Sequence, residues 1–161
     1  MKFFFIFLTF LAGILNAAGQ KQSFQDSMQI LSIIDNWNKA WQTKDYVLAA
    51  KDYSHDAYFT NAFGDKRNGQ KEVEALLKEV FSLPFVMAGH SETTEHRLQT
   101  LDTTTVIVHT AVIRKGQQMP DDSVLPDRQT THMRIFQKTN TNWEIKAHLI
   151  SDARDKQIPK H

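Results

Sequence analysis

The sequence predicts an α+β domain in which N-terminal helices pack on a curved antiparallel sheet, and three observations carry that expectation. Apolar residues recur at spacings of three and four from Phe24 to Trp41 and again from Val73 to Val80, the period of helices with one buried face. Beyond Pro84 the period changes to alternation, in four runs rich in Thr, Val, Ile and aromatics. Between the helical stretches lies Asp56-Ala57-Tyr58-Phe59-Thr60-Asn61-Ala62-Phe63-Gly64-Asp65, which reads as an inner strand running into a glycine turn.

The elements follow in order. Lys2, the apolar run Phe3 to Leu11 continuing through Ile14-Leu15, and the small residues Ala17-Ala18-Gly19 have the three zones of a secretory signal peptide, so 1–19 is expected to be removed and 20–161 to form a single exported domain, periplasmic or secreted. The first helix is expected from Ser23, with Ser23 and Asp26 as a capping box and Phe24, Met28, Ile30, Ile34, Trp37 and Trp41 on its apolar face. Asp45 can cap a short second helix through Ala49-Ala50. A third follows Gly69 and must stop before Pro84, whose ring and missing amide end a helix. The strand runs are Glu92 to Leu101, Thr105 to Arg114, Gln129 to Lys138 and Trp143 to Ser151, separated by turns at Asp102-Thr103, Gly116 to Pro126 and Thr139 to Asn142.

Composition excludes several function classes. The chain has 19 basic and 18 acidic residues, and without Lys2 the counts are 18 and 18, so no basic excess points to nucleic acid or an anionic membrane. With no cysteine there is no disulfide framework, thiol nucleophile or thiolate metal site. No Gly-x-Ser-x-Gly elbow, phosphate-binding glycine loop or His-Glu-x-x-His pair is present. No cofactor and no metal is expected.

Alternation assigns Phe59, Asn61 and Phe63 to the helix-facing side, with Val106, Val108, Thr110 and Val112, with Thr131, Met133 and Ile135, and with Ile145, Ala147 and Leu149. If the sheet wraps the helices incompletely, Trp37 and Trp41 close a mostly apolar pocket. The candidate ligand-binding residues are therefore Trp37, Trp41, Phe59, Asn61, Phe63, Thr110, Thr131 and Met133, suited to a small hydrophobic or aromatic ligand held by few hydrogen bonds. The competing reading is a filled core with Asn61 bonded to backbone at the turn.

Trp37-Asn38-Lys39-Ala40-Trp41, Asp45, Asp56-Ala57, Asn61-x-Phe63-Gly64, Gly69 and Trp143-x-Ile145 resemble the nuclear-transport-factor-2-like superfamily, particularly its SnoaL-like branch of the SgcJ/EcaC type. The resemblance spans nearly the whole mature chain. It implies a cone-shaped, cystatin-like fold with a ligand cavity, often homodimeric, in a superfamily of isomerases, cyclases, dehydratases and binding proteins. Set against its ketosteroid-isomerase branch, the general-base position falls on Asn61, the oxyanion-hole tyrosine on Trp37 and the protonated acid near Thr131. An amide cannot accept a proton near neutrality, so that machinery is absent.

Histidines provide the last sequence feature. Turn-centred pairing sets His96 beside His109, His109 beside His132, and His132 beside His148, one row on the outer sheet face. That face is expected to pair with a second subunit through His109, His132 and His148. Three function classes stay open: an exported binding or accessory protein, a lyase or isomerase using His90 or Asp152, and a structural dimerisation module with a filled core.

Overall fold

In the computed structural model, residues 4–140 and 142–153 are described, with side chains from Ser23 onward. Helix α1 (Phe4–Thr43) leads into α2 (Tyr46–Ala50), β1 (Tyr53–Thr60), β2 (Lys66–Asn68), α3 (Gln70–Phe81) and α4 (Pro84–Met87). Four long strands follow: β3 (His90–Thr100), β4 (Thr105–Lys115), β5 (Arg128–Thr139) and β6 (Asn142–Asp152). The side chains of the expected leader, 1–19, lie outside the described residues. Among the described residues no helix is long and apolar enough to cross a membrane.

The six strands form one curved sheet in the order β2-β1-β6-β5-β4-β3. β3 to β6 are an antiparallel meander, as the turn signals predict. β1, however, pairs with β6 in parallel, which makes the sheet mixed rather than antiparallel throughout. The parallel pair needs a long crossover, which α3, α4 and the meander supply.

The expected starts and stops have clear causes. Asp45 accepts the Leu48 amide at 2.9 Å and caps α2. Pro84 ends the run after α3 and opens α4, where a proline costs no hydrogen bond. Gly89 has φ +76°, and a Cβ there would sit 2.0 Å from the Lys115 carbonyl oxygen, so only glycine lets β3 start against the end of β4. The capping box is a correction: α1 runs through Ser23 without a break, and Asp26 instead receives Lys138 Nζ at 2.7 Å and Trp143 Nε1 at 3.0 Å. Phe24 and Met28 are exposed, and the buried stripe of α1 begins at Ile30 and continues through Ile34, Trp37 and Ala40.

That stripe, together with Val73, Leu77 and Phe81 of α3, covers the concave sheet face presented by Phe59, Val106, Val108, Phe136 and Ile145. On β4 the inward alternation is as read from the sequence. On β5 it is inverted: His132, Arg134 and Phe136 face inward, while Thr131 is exposed and Met133 and Ile135 are half-buried on the other side. The unshifted β4 to β5 register decides this, pairing Val106 with Phe136, Val108 with Arg134 and Thr110 with His132. On β6 a bulge against Ile135 and Phe136 breaks the alternation, so Trp143 and Ile145 point inward but then so do His148 and Ile150, leaving Leu149 exposed.

Candidate functional site

A cavity of about 320 Å³ opens between α1, the β1–β2 turn, the α4–β3 corner and the ends of β4 and β5. Its apolar wall is Trp37, Trp41, Met87, Val112 and Ile150. The indoles of Trp37 and Trp41 lie 6.0 Å apart at 52°, and Phe81 meets Trp41 edge-on at 4.8 Å. A cavity this size, with an apolar wall and polar groups around it, fits a small organic molecule.

The sequence-derived site residues separate into three groups. Trp37, Trp41, Asn61 and Phe63 line the cavity. Phe59 and Thr110 are buried but sit in the core behind it, Phe59 against Trp37 at 6.5 Å and Thr110 bonded to Arg134 and His96. Thr131 and Met133 are misplaced by the inverted β5 and do not reach the cavity. Asn61 behaves as the competing reading expected: its Oδ1 accepts the amides of Phe63 and Asp65, both at 2.9 Å, and its Nδ2 donates to Asp65 at 2.8 Å. Phe63 is 74 % exposed at the rim, with the Arg128 guanidinium 5.0 Å from its ring centre.

Because Asn61 is a turn-forming side chain, Asn61→Ala is expected to cost about 1 kcal/mol of stability, the scale of a lost side-chain-to-backbone cap. Urea unfolding reads this directly, and an unchanged midpoint would contradict the assignment.

The floor of the cavity is a polar chain that sequence reasoning placed on the wrong face. Tyr53 Oη lies 2.5 Å from His148 Nδ1, His148 Nε2 lies 3.0 Å from His132 Nδ1, and Arg134 Nη2 lies 3.2 Å from that same Nδ1. His132 lines the cavity and its Nε2 is 3.3 Å from Thr130 Oγ1. All four side chains are buried, so His132 and His148 belong to no outer-face row, and of the three residues expected at a subunit seam only His109 is exposed on the outer face. His109 faces Arg97 and Met133 in the register, not His96 or His132. The signal that finds the cluster is the β4 partner: Thr110, an inward polar residue, demands a polar neighbour on β5.

Charge fixes the hydrogens of this chain. Burial, then the adjacent Arg134, holds both imidazoles well below their ordinary value, so both are neutral at pH 7. Burial pulls Arg134 down to about 10 and pushes the Tyr53 phenol up, leaving the first charged and the second neutral. A guanidinium only donates, so His132 Nδ1 accepts and its proton sits on Nε2. His148 Nε2 must then donate to His132, and His148 Nδ1 accepts from Tyr53. The His132 Nε2–H therefore donates to Thr130 Oγ1 at the cavity wall, and His132 turns no lone pair to the cavity.

The remaining polar groups at the cavity are also donor-rich. Lys44, Arg114 and Arg128 line it, and among the described residues no Asp or Glu does. His90 is at the mouth, bonded to Glu92 at 3.1 Å, and Asp152 is held by Arg128 Nε at 3.1 Å, so both proposed acid–base candidates are engaged elsewhere.

Against known proteins, no family model matches the sequence, and no curated protein matches it. Solved structures do. An uncharacterised protein with a cystatin-like fold from Caulobacter vibrioides superposes with a TM-score of 0.71 at 13% identity, over 80% of this chain and 89% of its own. An NTF-2-like protein of unknown function from Shewanella oneidensis gives 0.64 at 17%, over 79% and 99%. A candidate scytalone dehydratase from Novosphingobium aromaticivorans gives 0.65 at 10%, over 88% and 93%. The fold is thus the cystatin-like one that the sequence resemblance implies, shared with the NTF-2-like protein from Shewanella oneidensis. Identities this low establish architecture and leave chemistry to the residues.

Proposed function

We propose that the protein binds a small molecule with an apolar or aromatic body in the cavity beside α1, and does not turn it over by base catalysis there. The observation that carries the reading is the cavity of about 320 Å³ walled by the paired indoles of Trp37 and Trp41 with Met87, Val112 and Ile150. Flat apolar ligands stack well on such rings. The lyase or isomerase alternative draws on the fold it shares with a candidate scytalone dehydratase. It needs an acceptor facing the ligand, whereas Asn61 is an amide tied into a turn and Arg134 keeps the His132 proton on the cavity side.

Calorimetric titration with 2-naphthalenemethanol, a neutral aromatic probe, tests this. Saturable 1:1 binding is expected, weakened at least tenfold in Val112→Phe, which narrows the cavity. Equal affinity in that variant would place the binding elsewhere.

A further inference from the structure

The charge around this cavity is one-sided in a chain that is nearly neutral. Arg114 on β4 and Arg128 on β5 are direct cross-strand partners at its mouth. Like charges in that position repel and cost stability, so their pairing calls for a compensating anion. Asp152 provides one, at Arg128 Nε. Arg114 has none: its Nη1 donates to Ser91 Oγ at 3.0 Å and its Nη2 to the carbonyls of Val86 and Ala88, while its Nε is buried without an acceptor. Among the described residues, no carboxylate lies within ion-pair distance of Arg114 or of Arg134 beneath His132. Lys44 at the rim adds a further cation to the same space.

We propose that the ligand carries an anionic head, a carboxylate or an oxyanion of similar shape, seated at the Arg114–Arg128 pair with its apolar body against Trp41 and Trp37. The inference rests on reading the cavity as a ligand site. It explains why two arginines face each other although the acid paired with Arg128 sits on the strand beyond it, away from Arg114. Arg128 supplies the two-point contact, since its Nε is the atom that holds Asp152 and planar arginine donors match a carboxylate in two places. Arg114, with both Nη2 hydrogens on carbonyls, adds charge and one Nη1 hydrogen. Trp41 also lies under the Arg114 guanidinium at 5.3 Å, so a ring stacked on the indole sits next to the charge. An anion there faces positive charge from Arg114 on β4, Arg128 on β5 and Lys44 just past α1, while the carboxylates nearest the cavity are engaged: Asp152 by Arg128, Glu92 by Lys115 and His90, and Asp65 by Asn61.

The test compares 2-naphthoate with 2-naphthalenemethanol, near-isosteres that differ in charge, by calorimetry in a buffer free of phosphate and sulfate. For the unmodified chain, naphthoate is expected to bind at least tenfold tighter. Arg128→Gln should shrink that gap to below threefold, and Lys71→Gln, on the exposed face of α3, should leave it intact. Equal affinity of both probes for the unmodified chain overturns the anionic head and leaves the cavity reading standing. Binding of neither overturns both. A gap that survives Arg128→Gln overturns the assignment to the arginine pair.

Discussion

Replacing Trp37 by alanine is expected to destabilise the protein by about 3–5 kcal/mol, the range for removing a large buried aromatic and leaving its cavity. Trp37 is buried, and its ring meets Trp41, Tyr53, Phe59 and His148 with centroids 5.1 to 6.5 Å away. It also lies 5.4 Å from the Arg134 guanidinium, a desolvated cation over an indole, which adds up to about 2 kcal/mol. Two losses therefore coincide: apolar volume, and the π face that stabilises a buried charge. Trp37→Phe should recover much of the first and little of the second. Urea unfolding of the three proteins measures both, and a loss below 1 kcal/mol for Trp37→Ala would contradict the packing of α1 on the sheet.

Trp37 was legible from sequence because a helix carries its period through many residues. Ile30, Ile34, Trp37 and Ala40 repeat often enough to set the buried face, and each strand boundary after Pro84 is marked by turn residues. Facing was legible on β4, where Val106, Val108 and Val112 all point inward. It was not legible on β5, because apolar residues occur on both of its faces and the loop before it is too long to transmit register. Met133 and Ile135 look like core and are not, while Arg134 looks like surface and is almost fully buried. On β6 a single bulge moves His148 from the face of Glu144 and Lys146 to that of Trp143 and Ile145. Nothing in the local sequence announces that bulge, and its effect is to build the cavity floor.

The same cluster makes stability depend on pH. His132 and His148 are held below their ordinary value in the folded chain, by burial first and by Arg134 second, whereas in the unfolded chain each titrates near 6.5. The folded state therefore binds fewer protons than the unfolded state once the pH falls below about 6.5. Their stabilising contribution is fully present above that pH and is lost as the pH drops toward the folded values. Each group costs at most about 1.4 kcal/mol per pH unit below its unfolded value, so the loss grows as the pH falls from about 6.5 toward 5. The carboxylates held low by their partners, Asp56 by Lys146 first and Glu92 by Lys115 first, lose their contributions only further into acid. Urea midpoints at pH 7.5 and pH 5 isolate the histidines. Arg134→Met should reduce the difference only in part, because the arginine is the lesser cause and burial remains. An equal midpoint at the two pH values for the unmodified chain would mean that neither imidazole is shut inside the fold, and the proton assignment at the cavity floor would fall with it.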